Sequence, residues 1–178
     1  MLSTSKRKEY FKKLGLGEYN KTNILKLQKK YFVRAVDKDG IYGNNTDKLL
    51  QSLYNVEMNS KNFNLSEFRC ECNGKYCTGY PAIVDAQLVR NLQTLRGEGG
   101  AITITSGLRC KKLNSKLSGS SKNSRHLKGK AADIYCNRLT GTKAKRNKLI
   151  KRWYRLPKAN YAYGNTKGMG NAVHVDVK

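Results

Sequence analysis

Only two histidines occur in the chain, and each lies in a short segment that could bind a metal ion. His126 and Asp133 lie seven residues apart in the segment 124–133 (SRHLKGKAAD), and His174 follows near the C-terminus. Imidazole nitrogens and carboxylate oxygens both bind zinc, and catalytic zinc sites use three protein ligands and leave one position open. We therefore expect His126, Asp133 and His174 to bind Zn²⁺ together.

The residues around these ligands predict two short strands. Residues 131–136 (AADIYC) form an apolar run, in which an ionised Asp133 is costly unless it is paired or binds a metal. Residues 173–177 alternate valines with His174 and Asp176, and strand alternation places these two polar side chains on one face. This pattern supports the metal site.

The order and spacing of these motifs resemble the zinc D-alanyl-D-alanine carboxypeptidase family, which includes peptidoglycan endopeptidases of bacteriophage endolysins. Residues 106–109 (SGLR) look like the family's Ser-Gly-x-Arg segment, and residues 174–176 look like its terminal His-x-Asp. The resemblance covers about residues 68–178. The family's pattern Ser-x-His-x-x-Gly-x-Ala-x-Asp is complete at Ser124, His126, Gly129, Ala131 and Asp133.

The resemblance implies zinc-dependent hydrolysis of a peptide bond in bacterial peptidoglycan, in the stem peptides or the cross-links. Zinc would polarise the scissile carbonyl and lower the pKa of water. Relatives include carboxypeptidases that remove a terminal D-Ala and endopeptidases that cut within the polymer, and the sequence does not choose between them. A hedgehog-like zinc hydrolase acting on another peptide is a further alternative.

Some site residues have roles that can be assigned by chemistry. Several relatives carry Glu or Asp three residues before the last His, but this chain has Asn171 there, which cannot act as a base. Asp176 is therefore the candidate catalytic base, with a role in orienting His174 as the alternative. We expect Arg109 to bind a substrate carbonyl or carboxylate. The remaining candidates for the substrate cleft are Ser124, Tyr163, Tyr161 and Trp153, with a place in the core as the alternative for the three aromatic residues.

The first third of the chain predicts a separate helical module at residues 1–57. Two helical segments precede the turn 39–43 (DGIYG) and a third follows it, which resembles the small three-helix peptidoglycan-binding repeat. In that repeat the turn shapes part of a shallow groove. A calcium loop of the EF-hand type is disfavoured because the closing Glu is missing. A helical cap on the catalytic domain is the remaining alternative.

We predict a polar linker at 58–67 and a zinc peptidase domain at 68–178. The fold class is α+β, with a small antiparallel sheet and flanking helices that hold the zinc site, preceded by the small all-helical module. In the second domain, helices are predicted from Pro81 to Leu95, at 110–117 and at 142–153. Strands are predicted at 101–105 and 161–164, besides the two strands of the metal site.

The net charge of +24 comes from 36 basic and 12 acidic residues, and such a field attracts polyanions. Peptidoglycan and the anionic polymers of the cell wall are the expected partners. A nucleic-acid-binding protein is an alternative, but the basic residues are dispersed along the chain. A catalytically inactive wall-binding protein is another alternative, favoured by Asn171.

No apolar stretch is long enough to span a membrane, and the charged N-terminus does not match a secretory signal. We therefore expect a protein that acts on the cell wall after release from the host cytoplasm at lysis.

Five cysteines occur, and their odd number argues against a fully disulfide-paired scaffold. Cys70, Cys72, Cys77 and Cys110 could form a second, structural zinc site, one or two disulfides, or free thiols. The sequence leaves these alternatives open. Cys136 lies in a predicted strand and is expected to be a small buried side chain.

Overall fold

A computed structural model describes residues 1–178 and confirms the α+β class with a small antiparallel sheet. The four strands are β1 Thr103–Ser106, β2 Ala131–Tyr135, β3 Ala159–Gly164 and β4 Val173–Val177. The seven α-helices are α1 Thr4–Lys13, α2 Lys21–Tyr31, α3 Asn44–Asn59, α4 Ala86–Gly99, α5 Lys111–Asn114, α6 Asn137–Thr140 and α7 Lys143–Trp153. Short 3-10 helices lie at Ala35–Asp37, Leu65–Phe68 and Arg125–Lys128.

Gln28 organises the turn between α2 and α3. Its buried amide nitrogen lies 3.0 Å from Asp39 Oδ1, from the Ile41 carbonyl and from Thr46 Oγ1. Its amide oxygen accepts a hydrogen bond from the Gly40 N–H at 2.7 Å. A fixed turn follows because one side chain satisfies polar groups on both sides of it.

The apolar side chains of α1–α3 and of the sheet region belong to one continuous buried cluster. The segment 58–67 contributes Phe63 and Leu65 to this cluster, and α3 is tied to the next segment by the Asn55 amide, which donates to the Val84 carbonyl. The division into an N-terminal module, a linker at 58–67 and a peptidase domain stays a prediction.

The sheet order is β1-β2-β4-β3, and every neighbouring pair is antiparallel. On β4 the three valines are fully buried. The register of β2 and β4 places Asp133 opposite His174, and the register of β3 and β4 places Tyr163 opposite His174. Sheet pairing thus brings the polar residues of three strands together.

Two predicted elements differ from the structure. The helix predicted from Pro81 begins instead at Ala86, because the Asp85 side chain caps it by accepting from the N–H groups of Gln87 and Leu88. The helix predicted at 110–117 is limited to α5, Lys111–Asn114.

Trp153 lies in the core, which is the alternative to a place in the cleft. Its side chain is completely buried, and its indole nitrogen donates to the Asp176 carbonyl at 3.0 Å. Trp153 therefore supports β4 from the core side.

Gly129 has φ +70°, and a Cβ there would overlap the carbonyl oxygen of Ile83. Gly119 has nearly the same φ, +72°, but open space around it. We expect Gly119→Ala to cost about 1 kcal/mol through backbone strain alone. Gly129→Ala should cost roughly 1–3 kcal/mol more because of overpacking. Urea unfolding of both variants measures the difference, and equal losses would show that the close approach to Ile83 has no energetic weight.

Candidate metal centre

Three predicted ligands converge at one point of the sheet. His126 Nε2 lies 3.2 Å from His174 Nδ1 and 3.3 Å from Asp133 Oδ1, and His174 Nδ1 lies 2.8 Å from Asp133 Oδ1. Tetrahedral zinc ligands at about 2.0–2.1 Å from the metal are roughly 3.3 Å apart. Only the Asp133–His174 separation has to widen, so the three atoms fit a zinc ion.

His126 is presented by the 3-10 helix Arg125–Lys128 and is almost fully buried. Its Nδ1 donates to the Gly107 carbonyl at 2.6 Å, so in the neutral imidazole Nε2 carries no proton and can bind a metal. Gly107 itself packs against the Phe68 backbone, and a Cβ at this position would lie only 2.6 Å from Phe68 Cα. A residue with a Cβ would therefore not fit at the glycine position of the Ser-Gly-x-Arg segment.

Asp176 holds His174 from the side opposite to the metal position. Its Oδ2 lies 3.1 Å from His174 Nε2, so this nitrogen donates and Nδ1 is left for the metal. Its Oδ1 accepts from the Asn160 amide at 2.8 Å and from the Tyr161 N–H at 2.9 Å. Both oxygens are thus engaged, and this geometry favours the orienting role that the sequence left as the alternative.

Arg109 holds the third ligand. Its Nη2 donates to Asp133 Oδ2 at 2.6 Å, which leaves Oδ1 directed at the two imidazoles. Its Nε donates to Ser106 Oγ at 3.2 Å. All three ligands therefore have a second partner that fixes their orientation, a feature of protein metal sites.

The protonation of the centre follows from these contacts. Burial disfavours the charged Asp133, but hydrogen bonds with His126 and His174 outweigh it and hold its pKa well below the usual range. Burial also opposes a charged His174, but hydrogen bonds to Asp133 and Asp176 prevail and raise its pKa. A metal ion therefore competes with a proton for His174, so binding weakens as the pH falls.

An open cleft of about 540 Å³ borders Asp133, with Ser106 and Asn171 among its lining residues. Asn171 is exposed and accepts from Arg146 Nη1 at 2.7 Å. The Tyr163 ring stacks on His174, with the ring centres 4.7 Å apart. Tyr163 is therefore placed beside the ligands. Ser124 directly precedes the His126 helix without capping it through its side chain.

Glu71 is a site residue that the sequence did not reveal. It accepts from Ser106 Oγ at 3.2 Å, and Ser106 in turn contacts Arg109. Asp133 and Asp176 are the only acids that follow Glu98 in the sequence, and they were the candidates near the metal motifs. Glu71 lies far from the metal motifs in sequence, between Cys70 and Cys72, and nothing in the neighbouring residues indicated a role in the site.

Two histidines and a carboxylate at one point, beside an open cleft, form the kind of metal centre that hydrolytic enzymes use. The family model for Peptidase M15 matches residues 61–176. This match spans more than half of the chain, and the chain therefore belongs to the Peptidase M15 family of metal-dependent, usually zinc-dependent, peptidases. A comparison with curated proteins finds no match. None of the helices is both long and apolar enough to cross a membrane.

We expect Asp176→Asn to weaken zinc binding at the His126–Asp133–His174 site about 10–100-fold, because the partner that orients His174 loses its charge. Competition with a chromogenic chelator measures the affinity. Glu98→Gln is the control, since Glu98 is a carboxylate paired with Arg152 on the surface. Unchanged zinc affinity in Asp176→Asn would contradict the orienting role.

Proposed function

We propose that the protein is a zinc-dependent peptidase that cleaves peptide bonds of bacterial peptidoglycan, in the manner of an endolysin. The observation that carries this proposal is the convergence of His126, Asp133 and His174 beside an open cleft. Membership of the Peptidase M15 family supports the peptidase chemistry.

Charge and shape support a polymeric wall substrate. A chain of net charge +24 is attracted to the anionic polymers of cell walls. A second cavity, of about 380 Å³, lies at the turn that Gln28 organises, and Asp39 and Ile41 are among its lining residues. Ile41 is 65 % exposed and the neighbouring Val36 is 78 % exposed. We assign this groove to wall binding, and favour an endopeptidase over a dipeptidase for that reason.

Zinc, when bound, supplies Lewis-acid polarisation of the scissile carbonyl and activation of water. Arg109 uses two of its three guanidinium nitrogens on Ser106 and Asp133. We assign its remaining nitrogen to a substrate carbonyl or carboxylate. The Tyr163 ring covers His174 and forms a wall against which a peptide can lie.

We place the proton-accepting role at Glu71. It is exposed, and the hydrogen-bonded series Glu71–Ser106–Arg109–Asp133 connects its carboxylate to a metal ligand. Asp176, by contrast, is buried and has both carboxylate oxygens occupied. A general base must reach the water and the leaving amine, and of these two carboxylates only that of Glu71 is exposed.

The first test is digestion of purified Gram-positive and Gram-negative peptidoglycan, followed by mass spectrometry of the products. We expect new peptide termini that disappear with a zinc chelator and in the His126→Ala variant. The identity of the termini names the bond.

A folded, zinc-loaded protein that pellets with both walls but yields no products would overturn the proposal. That result would favour a non-catalytic wall-binding protein, the alternative supported by Asn171 in place of an acid. Binding to DNA that falls steeply with salt, without binding to walls, would favour the nucleic-acid alternative.

The base assignment has its own test. We expect Glu71→Gln to lower kcat about 10²–10⁴-fold with zinc retained, because loss of a general base removes proton transfer in the transition state. Glu57→Gln, an exposed carboxylate on α3, is the control. A kcat within a few-fold of wild type in Glu71→Gln would return the role to Asp176.

A further inference from the structure

A second cluster of potential ligands lies outside the candidate active site. The thiol sulfurs of Cys70, Cys72, Cys77 and Cys110 all lie within 4.8 Å of one another. The fifth cysteine, Cys136, is also buried but lies apart, and its thiol donates to the Gly99 carbonyl. Burial alone therefore does not explain the cluster, because Cys136 is also buried and does not join it.

The loop that carries three of these cysteines is folded back on itself. Asn73 and Gly74 adopt positive φ values of 49° and 81°, and the Lys75 N–H donates to the Cys72 carbonyl at 2.9 Å. The Cys70 N–H then donates to the Gly79 carbonyl at 2.8 Å. This reversal returns Cys77 to the side of Cys70 and Cys72, so the backbone already has the shape of a metal-binding turn.

Two of the four sulfurs accept hydrogen bonds from backbone N–H groups. The Cys110 N–H donates to Cys70 Sγ at 3.3 Å, and the Leu113 N–H donates to Cys110 Sγ at 3.4 Å. Such donors stabilise sulfur in its thiolate form, which is the form that binds metals.

We propose that Cys70, Cys72, Cys77 and Cys110 bind a second zinc ion, with a structural role, separate from the one at His126, Asp133 and His174. Zinc–sulfur bonds of about 2.3 Å place tetrahedral sulfurs roughly 3.8 Å apart, which is compatible with the observed cluster. Four thiolates fill a tetrahedral zinc and leave no position for substrate, so the site is structural. On binding, the thiols that are protonated release their protons to solvent.

This second site is connected to the first through the chain itself. Glu71 stands between Cys70 and Cys72, and Arg109 directly precedes Cys110. The zinc would thus fix both segments that supply the Ser106 network and the partner of Asp133. This consequence for activity rests on the proposed function, whereas the presence of the metal does not.

Zinc counting on the purified full chain tests the proposal without any activity assay. Under reducing conditions, elemental analysis and native mass spectrometry should find two zinc ions in the wild type. They should find one in Cys77→Ser, one in His174→Ala and two in Cys136→Ser, the matched control. One zinc in the wild type that is lost in His174→Ala and kept in Cys77→Ser would overturn the proposal.

A wild-type measurement keeps the test decisive if a cysteine variant fails to fold. Zinc-edge X-ray absorption of the zinc-loaded protein should show a sulfur shell at about 2.3 Å besides nitrogen and oxygen ligands. A spectrum with nitrogen and oxygen ligands alone would overturn the proposal. So would an intact mass lacking two hydrogens under non-reducing conditions together with a single zinc, since that shows a disulfide in place of the second metal.

Discussion

The pairing of β2 with β4 is the constraint on which the candidate site depends. Asp133 and His174 are 41 residues apart in sequence, and only the antiparallel register makes them direct neighbours. A slip of one residue would turn the valines of β4 toward the cleft and His174 toward the core. The fully buried valines therefore fix the position of the metal ligand as well as the stability of the sheet.

The polar face of β4 can be buried because its charged side chains are joined by a series of hydrogen bonds. Asp176 holds His174, His174 meets Asp133, and Arg109 neutralises the other oxygen of Asp133. A buried carboxylate without such partners would strongly destabilise the fold. The same contacts also direct one lone pair of each ligand to a common point, so the hydrogen bonds that make burial possible also prepare the metal centre.

The sequence predicted a candidate ligand set, whose side chains the structure brings together, and the two strands that carry two of its three members. Motif spacing named His126, Asp133 and His174, and alternation of valines predicted the face of β4. It could not predict Glu71 or the position of Trp153, because both depend on packing between distant segments. The helix expected from Pro81 begins at Ala86, since the Asp85 cap overrides the periodicity of the apolar residues before it. The sequence also could not choose between a zinc site, disulfides and free thiols for the cysteines, because the reversal of the loop at Gly74 determines which sulfurs lie close together.

The most direct test of the account is anomalous diffraction at the zinc edge from crystals grown with zinc. We predict a peak bonded to His126 Nε2, Asp133 Oδ1 and His174 Nδ1, with Asp176 still paired to the other nitrogen of His174. A zinc bound through His174 Nε2, or coordinated by Asp176 itself, would contradict the arrangement on which the proposed function rests.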